Sequence, residues 1–405
     1  MNTETTDLYP AQFSANSKQI YFDHNATTPL SGLVRERLLE FADAWGNPSS
    51  IHQSGRGPKK LIRDARRQVA DLIGVHPMEV VFTSCGSESN TMMMKGMFEK
   101  LISNGQSRPR FLISTVEHPA TMKAIEELMD RGLEVDWISV SRKGCISMEK
   151  YEQQLKQGVH FVSCMIANNE TGNIFPVKEM ARRAHEVGAK FHCDAVQGLG
   201  KLELDLNSLG VDYATVSAHK FYSLKGCAVL FVKKGDNNLP SLVNGGGQER
   251  GRRGGTENVI SIAALGEVAK VKNNIKSQIE RVEKLRNYME KEILEKISDV
   301  IVNGDSCPRV CNTSSLIIKD ADGESLLMNL DIAGFAVSTG AACSSGNPEP
   351  SPVLLNMGLS REEAQSSLRV SLGWGNTLEE VDQFISALVQ IVVRLRKIKK
   401  EGAYE

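Results

Sequence analysis

Short apolar segments alternate with amphipathic segments of helical length over the first two hundred residues, and this alternation restricts the fold more than any other feature of the chain. Strand-like residues occupy 79–84, 110–114, 134–140, 159–166 and 190–195. Helical patterns such as PATMKAIEELMDRG and VKEMARRAHEVG lie between them. Apolar strands separated by helices are typical of βαβ units, in which helices cover both faces of a mainly parallel sheet. We therefore predict an α/β fold that binds its ligand at the carboxyl ends of the strands.

The pattern changes near residue 260. Residues 260–297 read as one long amphipathic helix or two, followed by strand-like TSSLIIK, another helix, strand-like SSLRVSL and a final helix from Leu378. Since 405 residues exceed the size at which a single hydrophobic core usually stops growing, we expect two domains. The large domain would comprise residues 19–260, and a smaller α+β domain would comprise residues 1–18 and 261–405.

The charge balance excludes two classes of partner. Lys and Arg number 48 against 49 Asp and Glu, which gives a formal net charge of −1. Such a chain has no general attraction for nucleic acid or for an anionic membrane. No apolar run reaches the ~18 residues that a membrane span needs. We therefore expect no nucleic-acid or membrane partner, and a small substrate or a specific protein partner.

The cysteine pattern predicts reduced thiols. The eight cysteines have neither paired CxxC spacing nor the density of a disulfide scaffold, and Cys307 with Cys311 forms only a lone CxxxC. We predict no metal site. Residues 1–18 contain neither the apolar core nor the Arg-rich amphipathic stretch of a targeting signal, so a cytoplasmic location is expected.

Polar motifs follow four of the predicted strands. They are CGSESN (85–90), VEHPAT (116–121), HCDAVQ (192–197) and VSAHKFYSLKG (216–226). In the first, Gly86 leads into a helix that Ser87 is placed to cap, and the free N–H groups there would favour a phosphate. Gly and Ser begin many ordinary helices, so this motif alone is weak evidence for a ligand.

Three ionisable residues in the other motifs indicate a ligand only when they are considered together. Alone, His118 reads as a structural histidine, Asp194 as a helix cap and Lys220 as a solvated surface charge. Pyridoxal phosphate, however, needs an amine for a Schiff base, a carboxylate at its pyridine nitrogen, a flat group over its ring and donors for its phosphate. These requirements are met in that order by Lys220, by Asp194, by His118, and by Ser87, Ser217 and His219.

One thiol lies in an unusual context. Cys343 is part of VSTGAACSSGNPEPSP, which is rich in small and turn-forming residues. A cysteine that served only in packing would suit a buried strand better. An ordinary loop residue remains the alternative, because the seven other cysteines need no special role.

Ten ordered motifs resemble those of cysteine desulfurases, which are class V, fold-type I enzymes that use pyridoxal phosphate. The motifs are YFDHNATTPL, WGNPSSIH, FTSCGSESN, TVEHPA, NNETG, HCDAVQ, SAHKFY, GGGQERGRRGGTEN, STGAACSS and LRVSLG. They span nearly the whole chain. The resemblance implies a large domain with a mainly parallel seven-stranded sheet, a smaller α+β domain, and a homodimer whose subunits share the active site.

The resemblance also implies roles for individual residues. Lys220 would form the Schiff base with the cofactor, Asp194 would pair with its pyridine nitrogen, Gln197 would donate to its phenolic oxygen, and His118 would stack on its ring. The phosphate would contact Gly86, Ser87, Ser217 and His219, with Thr256 from the second subunit. The substrate would contact Asn25, Asn169 and Arg369, since a guanidinium suits a carboxylate in both shape and charge.

The implied reaction converts L-cysteine to L-alanine. Lys220 would take the Cα proton, and the Cys343 thiolate would attack the substrate sulfur and become a persulfide. A loop of this composition could then carry the sulfur to an acceptor, such as an iron–sulfur scaffold or a thiolation protein.

Some positions depart from the family pattern, and two other functions stay open. Cys85 stands where Gly is usual, Ser223-Leu224 replaces Gly-Pro, and Trp374 stands where Arg is frequent. None of these changes removes a catalytic group. Selenocysteine lyases share every motif, and a non-catalytic partner-binding protein could retain the fold.

Overall fold

The computed structural model describes residues 19–236, 239–339 and 349–402. The strands are β1 (Ile20–Tyr21), β2 (Val80–Thr83), β3 (Arg110–Ser114), β4 (Glu134–Ile138), β5 (Phe161–Ser163), β6 (Lys190–Asp194), β7 (Tyr213–Ser217), β8 (Ala228–Val232), β9 (Val300–Val302), β10 (Thr313–Ile318), β11 (Phe335–Ala336) and β12 (Ser367–Ser371). The helices are α1 (Gly32–Asp43), α2 (Gln53–Leu72), α3 (Gly86–Ser103), α4 (Pro119–Met129), α5 (Met148–Leu155), α6 (Val177–Glu186), α7 (Leu206–Leu209), α8 (Val259–Ala269), α9 (Ile275–Lys296), α10 (Gly323–Ile332), α11 (Pro352–Asn356), α12 (Arg361–Gln365) and α13 (Leu378–Gly402).

A seven-stranded sheet forms the centre of the molecule. Its strand order is β2-β8-β7-β6-β5-β3-β4. Strand β8 is antiparallel to both of its neighbours, and the other neighbouring pairs are parallel. Strands β2, β7 and β8 are buried along their whole length, as expected where helices cover both faces. The predicted α/β class and mainly parallel sheet are therefore confirmed.

Later residues build a second, antiparallel sheet. Its strand order is β12-β10-β9, and Arg369 of β12 lies opposite Ser315 of β10. The first strand, β1, pairs in parallel with β11, and Asp23 forms a bridge with Ser371. Residues 20–25 therefore lie beside β12, although more than 340 residues separate them in sequence.

The helical region after residue 258 is two helices. Helix α8 begins after Asn258, whose side chain caps it by accepting from the Ser261 N–H, and a 3-10 turn over Lys270–Asn274 separates α8 from α9. The two sheets lie on either side of residue 260, and the domain boundary predicted there stays a prediction.

In the described ranges, no helix is both long enough and apolar enough to cross a membrane.

Two cysteines correct the expectation that every thiol is reduced. Cys145 and Cys307 form a disulfide with their Cα atoms 6.1 Å apart. Their sequence separation is 162 residues, so no short spacing motif could reveal the pair. The chain brings them together because the turns around Gly144 and Gly304, both with positive φ, pack on the buried side chain of Asn173.

Candidate active site

A cavity of about 360 Å³ lies where β6 and β7 end and α3 begins. It is lined by most of the residues that the sequence analysis selected, namely Asn25, Gly86, Ser87, His118, Asn169, Asp194, Gln197, Ser217, His219, Lys220 and Arg369. This position agrees with the prediction that a ligand binds at the carboxyl ends of the strands. The fold thus gathers groups from seven separate segments around one space.

Lys220 follows β7 in a 3-10 turn. Its Nζ donates hydrogen bonds to the main-chain oxygens of Asn25, at 2.6 Å, and of Ala26. Burial, reinforced by the positive charge of Arg369, lowers the pKa of Lys220 from 10.5 to about 8. A substantial fraction of the amine is therefore neutral near physiological pH and can act as a nucleophile or base.

Asp194 is the last residue of β6 and is almost completely buried. One carboxylate oxygen accepts from the Asn90 side-chain amide at 2.7 Å, and the other accepts from the Val196 N–H at 3.0 Å. These donors supply polar partners that a buried carboxylate requires. Sequence reasoning missed Asn90, whose one available signal was its position one helical turn after Gly86.

His118 caps helix α4 and also borders the cavity. Its Nδ1 accepts from the Ala120 N–H at 3.1 Å, so in the neutral ring the proton lies on Nε2. Burial lowers the pKa of His118, and the nearby carboxylate of Asp194 partly offsets this shift. His118 can be both a helix cap and a residue that contacts a ligand, because the cap holds the imidazole in place at the cavity.

The end of the cavity where the sequence predicts a phosphate differs in one detail from the prediction. Helix α3 begins at Gly86, and its cap is Cys85, whose Sγ accepts from the Glu88 N–H at 3.4 Å. The expectation that Ser87 caps this helix is wrong, because Ser87 lies inside the first turn. The Ser87 hydroxyl therefore does not cap the helix. Cys85 also lines the cavity.

Two further groups face the same end. The hydroxyl of Ser217 is buried and has no hydrogen-bond partner among the described residues. His219 Nδ1 lies 3.1 Å from the Thr27 hydroxyl, and burial followed by the charge of Lys220 lowers the pKa of His219 to about 4. A neutral His219 can donate a hydrogen bond to a ligand oxygen with its remaining ring nitrogen.

Arg369, which the sequence predicts to contact the substrate, lines the cavity and is held by two neighbours. It donates to Asp23 at 2.7 Å and to the main-chain oxygen of Asn169 at 3.3 Å. Its buried Nε has no partner in the described part of the chain. The guanidinium is oriented and still has a free donor, as a site for a carboxylate requires. Asp23 was not predicted, although it stands in the YFDHNATTPL motif.

Asn25 connects the two sheets rather than presenting a free side chain. Its amide nitrogen donates to Asn169 and Thr313, and its amide oxygen accepts from Asn312 at 3.1 Å and from Lys201 at 2.7 Å. Since these bonds use its whole amide, a direct substrate contact would require one of them to break. Lys201 is a second buried lysine that sequence reasoning missed.

One predicted residue does not line the cavity, and another is not described. Thr256 is exposed and is not among the residues that line the cavity, which leaves its assignment to a second subunit a prediction. Cys343 falls outside the described residues.

Trp374, one of the departures from the family pattern, is buried behind the Lys220 segment and stacks on Tyr222 with ring centroids 4.8 Å apart.

The chain matches known proteins along most of its length. The model of the "Aminotransferase class-V" family matches residues 20–384. A cysteine desulfurase of Nostoc sp. is 40% identical over 382 residues, which cover 94% of each chain. The solved structure of a NifS-like protein superposes with a TM-score of 0.85 at 32% identity, covering 93% of this chain and all of the other. A structure described as SspA in complex with cysteine gives a TM-score of 0.76 at 28% identity, covering 87% of this chain and 98% of the other. From this agreement of fold, cavity and sequence, we conclude that the chain belongs to the class V aminotransferase family and, within it, to the cysteine desulfurases.

Proposed function

We propose that this protein uses pyridoxal phosphate to convert L-cysteine to L-alanine and transfers the sulfur to Cys343. The observation that carries this proposal is the cavity itself. It places the Lys220 amine, the Asp194 carboxylate, the His118 ring and the Arg369 guanidinium around one space of about 360 Å³. Each of these groups matches one chemical requirement of the reaction.

The cavity fits the cofactor at its phosphate end. The buried Ser217 hydroxyl lacks a partner, and a phosphate oxygen would supply one. A Cβ added at Gly86 would lie 3.3 Å from the Val196 side chain, which also lines the cavity, so a larger residue would crowd this part of the cavity wall. Helix α3 is 18 residues long, and its first N–H groups favour an anion.

The remaining residues fit the ring. Asp194 would hold the protonated pyridine nitrogen, His118 would lie against the ring, and Gln197 would donate to the phenolic oxygen. Pyridoxal phosphate, when bound, supplies an electron sink for the charge that develops at the substrate Cα. The protein's task is to hold the substrate and to move its protons.

Arg369 would bind the substrate carboxylate through its free Nε and the N–H groups that now contact Asn169 and Asp23. The lowered pKa of Lys220 makes this amine a suitable base for the Cα proton. Because both residues line the same cavity, a bound cysteine would present its Cα to Lys220 and direct its sulfur towards the rim.

Described residues on both sides of Cys343 form hydrogen bonds with Arg369 or with Glu170, close to the proposed substrate site. Ser338 and Arg369 exchange main-chain hydrogen bonds at 3.1 and 2.7 Å. Ser351 donates to the Glu170 carboxylate, beside Asn169. Cys343 is five positions after Ser338 in the sequence, and a chain of that length spans at most roughly 17 Å. This reach supports Cys343 as the thiolate that attacks the substrate sulfur.

In the proposed sulfur transfer, one bond forms as another breaks. The Cys343 thiolate forms a sulfur–sulfur bond as the carbon–sulfur bond of cysteine breaks, and the carbon keeps the electron pair until a proton completes alanine. The persulfide would then pass to an acceptor protein of iron–sulfur assembly or of a thiolation pathway. We further propose a homodimer, in which the partner subunit's Thr256 completes the phosphate site, and a cytoplasmic location.

Peptide mass spectrometry after addition of L-cysteine tests the proposal. We expect one extra sulfur on the peptide containing Cys343, and none there in Cys343→Ser, which should still take up the cofactor. Cys85→Ser is the matched control, because Cys85 is the free thiol that lines the described cavity; it should retain the persulfide. Normal sulfur release by Cys343→Ser would refute the assignment.

Two other measurements address the alternatives that the sequence leaves open. Release of alanine from L-cysteine, compared with its release from L-selenocysteine, separates a desulfurase from a selenocysteine lyase. A protein that takes up no pyridoxal phosphate would instead support a non-catalytic function.

A further inference from the structure

Lys201 is the second lysine of the active-site region, and the reaction described above does not use it. Its side chain is buried, with only 6% of the residue exposed. It forms no salt bridge with a carboxylate of the described chain. A buried lysine without an ion pair costs free energy, so its retention calls for a specific partner.

The partners of Lys201 are two side-chain amides. Its Nζ donates to the Asn25 amide oxygen at 2.7 Å and forms a close hydrogen bond to the Gln197 amide oxygen. Two acceptors match the two N–H groups of a neutral amine. Burial, followed by the charge of Lys220, lowers the pKa of Lys201 well below its ordinary value. This shift favours the neutral amine, which has two N–H groups for the two acceptors.

These bonds fix the direction of the Gln197 amide. Its oxygen is held by Lys201, and its nitrogen donates to the main-chain oxygen of Asn25 at 3.2 Å. An amide nitrogen carries two N–H groups, so one remains for a ligand in the cavity that Gln197 lines. A rotated amide would present its oxygen to the cavity and could not donate to a cofactor oxygen.

We propose that Lys201 is a positioning residue that holds the Gln197 amide with an N–H directed at the phenolic oxygen of the cofactor. This inference rests on the proposed function. Lys201 does not touch the reacting atoms; it acts through Gln197. Asn25 links this pair to Lys220, because its main-chain oxygen accepts from both Gln197 and Lys220.

Other charged groups also face Lys201, and an electrostatic effect on the cofactor could be mistaken for positioning of Gln197. They are Lys220, Arg369 and Asp23, with Cys311 from the segment before β10, and the buried His24. A direct electrostatic effect of Lys201 on the cofactor would persist without Gln197. A positioning effect would not.

A double-mutant cycle on the cofactor-loaded enzyme separates these cases. The variants are Lys201→Met, Gln197→Ala and the double variant, and the readout is the pH midpoint of the visible absorbance of the cofactor linked to Lys220, without substrate. Loss of the donor leaves more negative charge on the phenolic oxygen and raises the pKa of the adjacent protonated nitrogen. We expect both single variants to shift the midpoint upward by about one unit, and the double variant to match Gln197→Ala.

The controls keep each result interpretable. Lys276→Met removes an exposed lysine and should leave the midpoint unchanged. Lys201→Gln, which retains an amide donor, should restore most of the wild-type midpoint. Lys201→Leu, which also lacks a donor, serves as the test if Lys201→Met does not fold. An unchanged midpoint in the variant that lacks the donor, or shifts that add in the double variant, would overturn the positioning role. If the wild-type protein never develops the visible band, the proposed function fails first, and the positioning role fails with it.

Discussion

The lowered pKa of Lys220 predicts that this residue destabilises the cofactor-free protein at neutral pH. A protonated Lys220 is less favourable in the folded state than in the unfolded chain, because burial moves its pKa from 10.5 to about 8. A difference of 2.5 units corresponds to about 3 kcal/mol. Lys220→Met, which has no charge to bury, should therefore escape this cost.

The sign of the effect follows from proton linkage. Below pH 8 both states of the wild-type protein bind the proton, and the cost is fully present. Between pH 8 and 10.5 the unfolded chain binds more protons than the folded one, so the stability of the wild type rises with pH relative to the variant. Above pH 10.5 this contribution disappears.

Urea unfolding of the cofactor-free proteins at pH 7 to 10.5 measures the effect. Lys220→Met also loses two hydrogen bonds to main-chain oxygens, which changes its stability by a nearly constant amount. The test is therefore the pH dependence of the difference between the two free energies of unfolding. We expect the difference to change by about 3 kcal/mol in favour of the wild type, whereas Lys276→Met, with an exposed side chain, should track the wild type. A difference that stays constant with pH would show that Lys220 is not buried as the structure describes.

Two further perturbations test other parts of the structure. Ser217→Ala removes a buried hydroxyl without a partner; the cofactor-free protein should keep or slightly gain stability, while cofactor affinity measured by titration falls roughly 10-fold or more through loss of a bond to a charged group. Lost stability with unchanged affinity would contradict this role. Cys145→Ser with Cys307→Ser should lower the free energy of unfolding without reductant by roughly 2–5 kcal/mol, and thiol titration of the denatured, unreduced wild type should find two fewer thiols than its eight cysteines. Eight reactive thiols in that sample would exclude the disulfide.

Local patterns in the sequence were enough to predict the fold class and the chemical groups of the site. Alternating apolar strands and amphipathic helices are local patterns, and segments such as 110–114 form strands at the positions where the pattern placed them. Asp194 and Ser217 end two neighbouring strands of one mainly parallel sheet, and Lys220 follows the second of them; the topology of such a sheet brings strand ends to a common edge. Their meeting in one cavity was therefore predictable.

The contacts that hold these groups in place could not be predicted from the sequence and depend on the folded chain. Asn90 with Asp194, Asp23 with Arg369, and Lys201 with Gln197 are contacts whose geometry depends on side-chain directions that no periodicity encodes. Asp23 and Arg369 are 346 residues apart and meet because the chain pairs β1 with β11 and places residue 23 beside β12. The disulfide between Cys145 and Cys307 likewise depends on two turns packing on Asn173. A local pattern fixes which groups a segment offers, and the packing of distant segments fixes the charge, orientation and bonding of those groups.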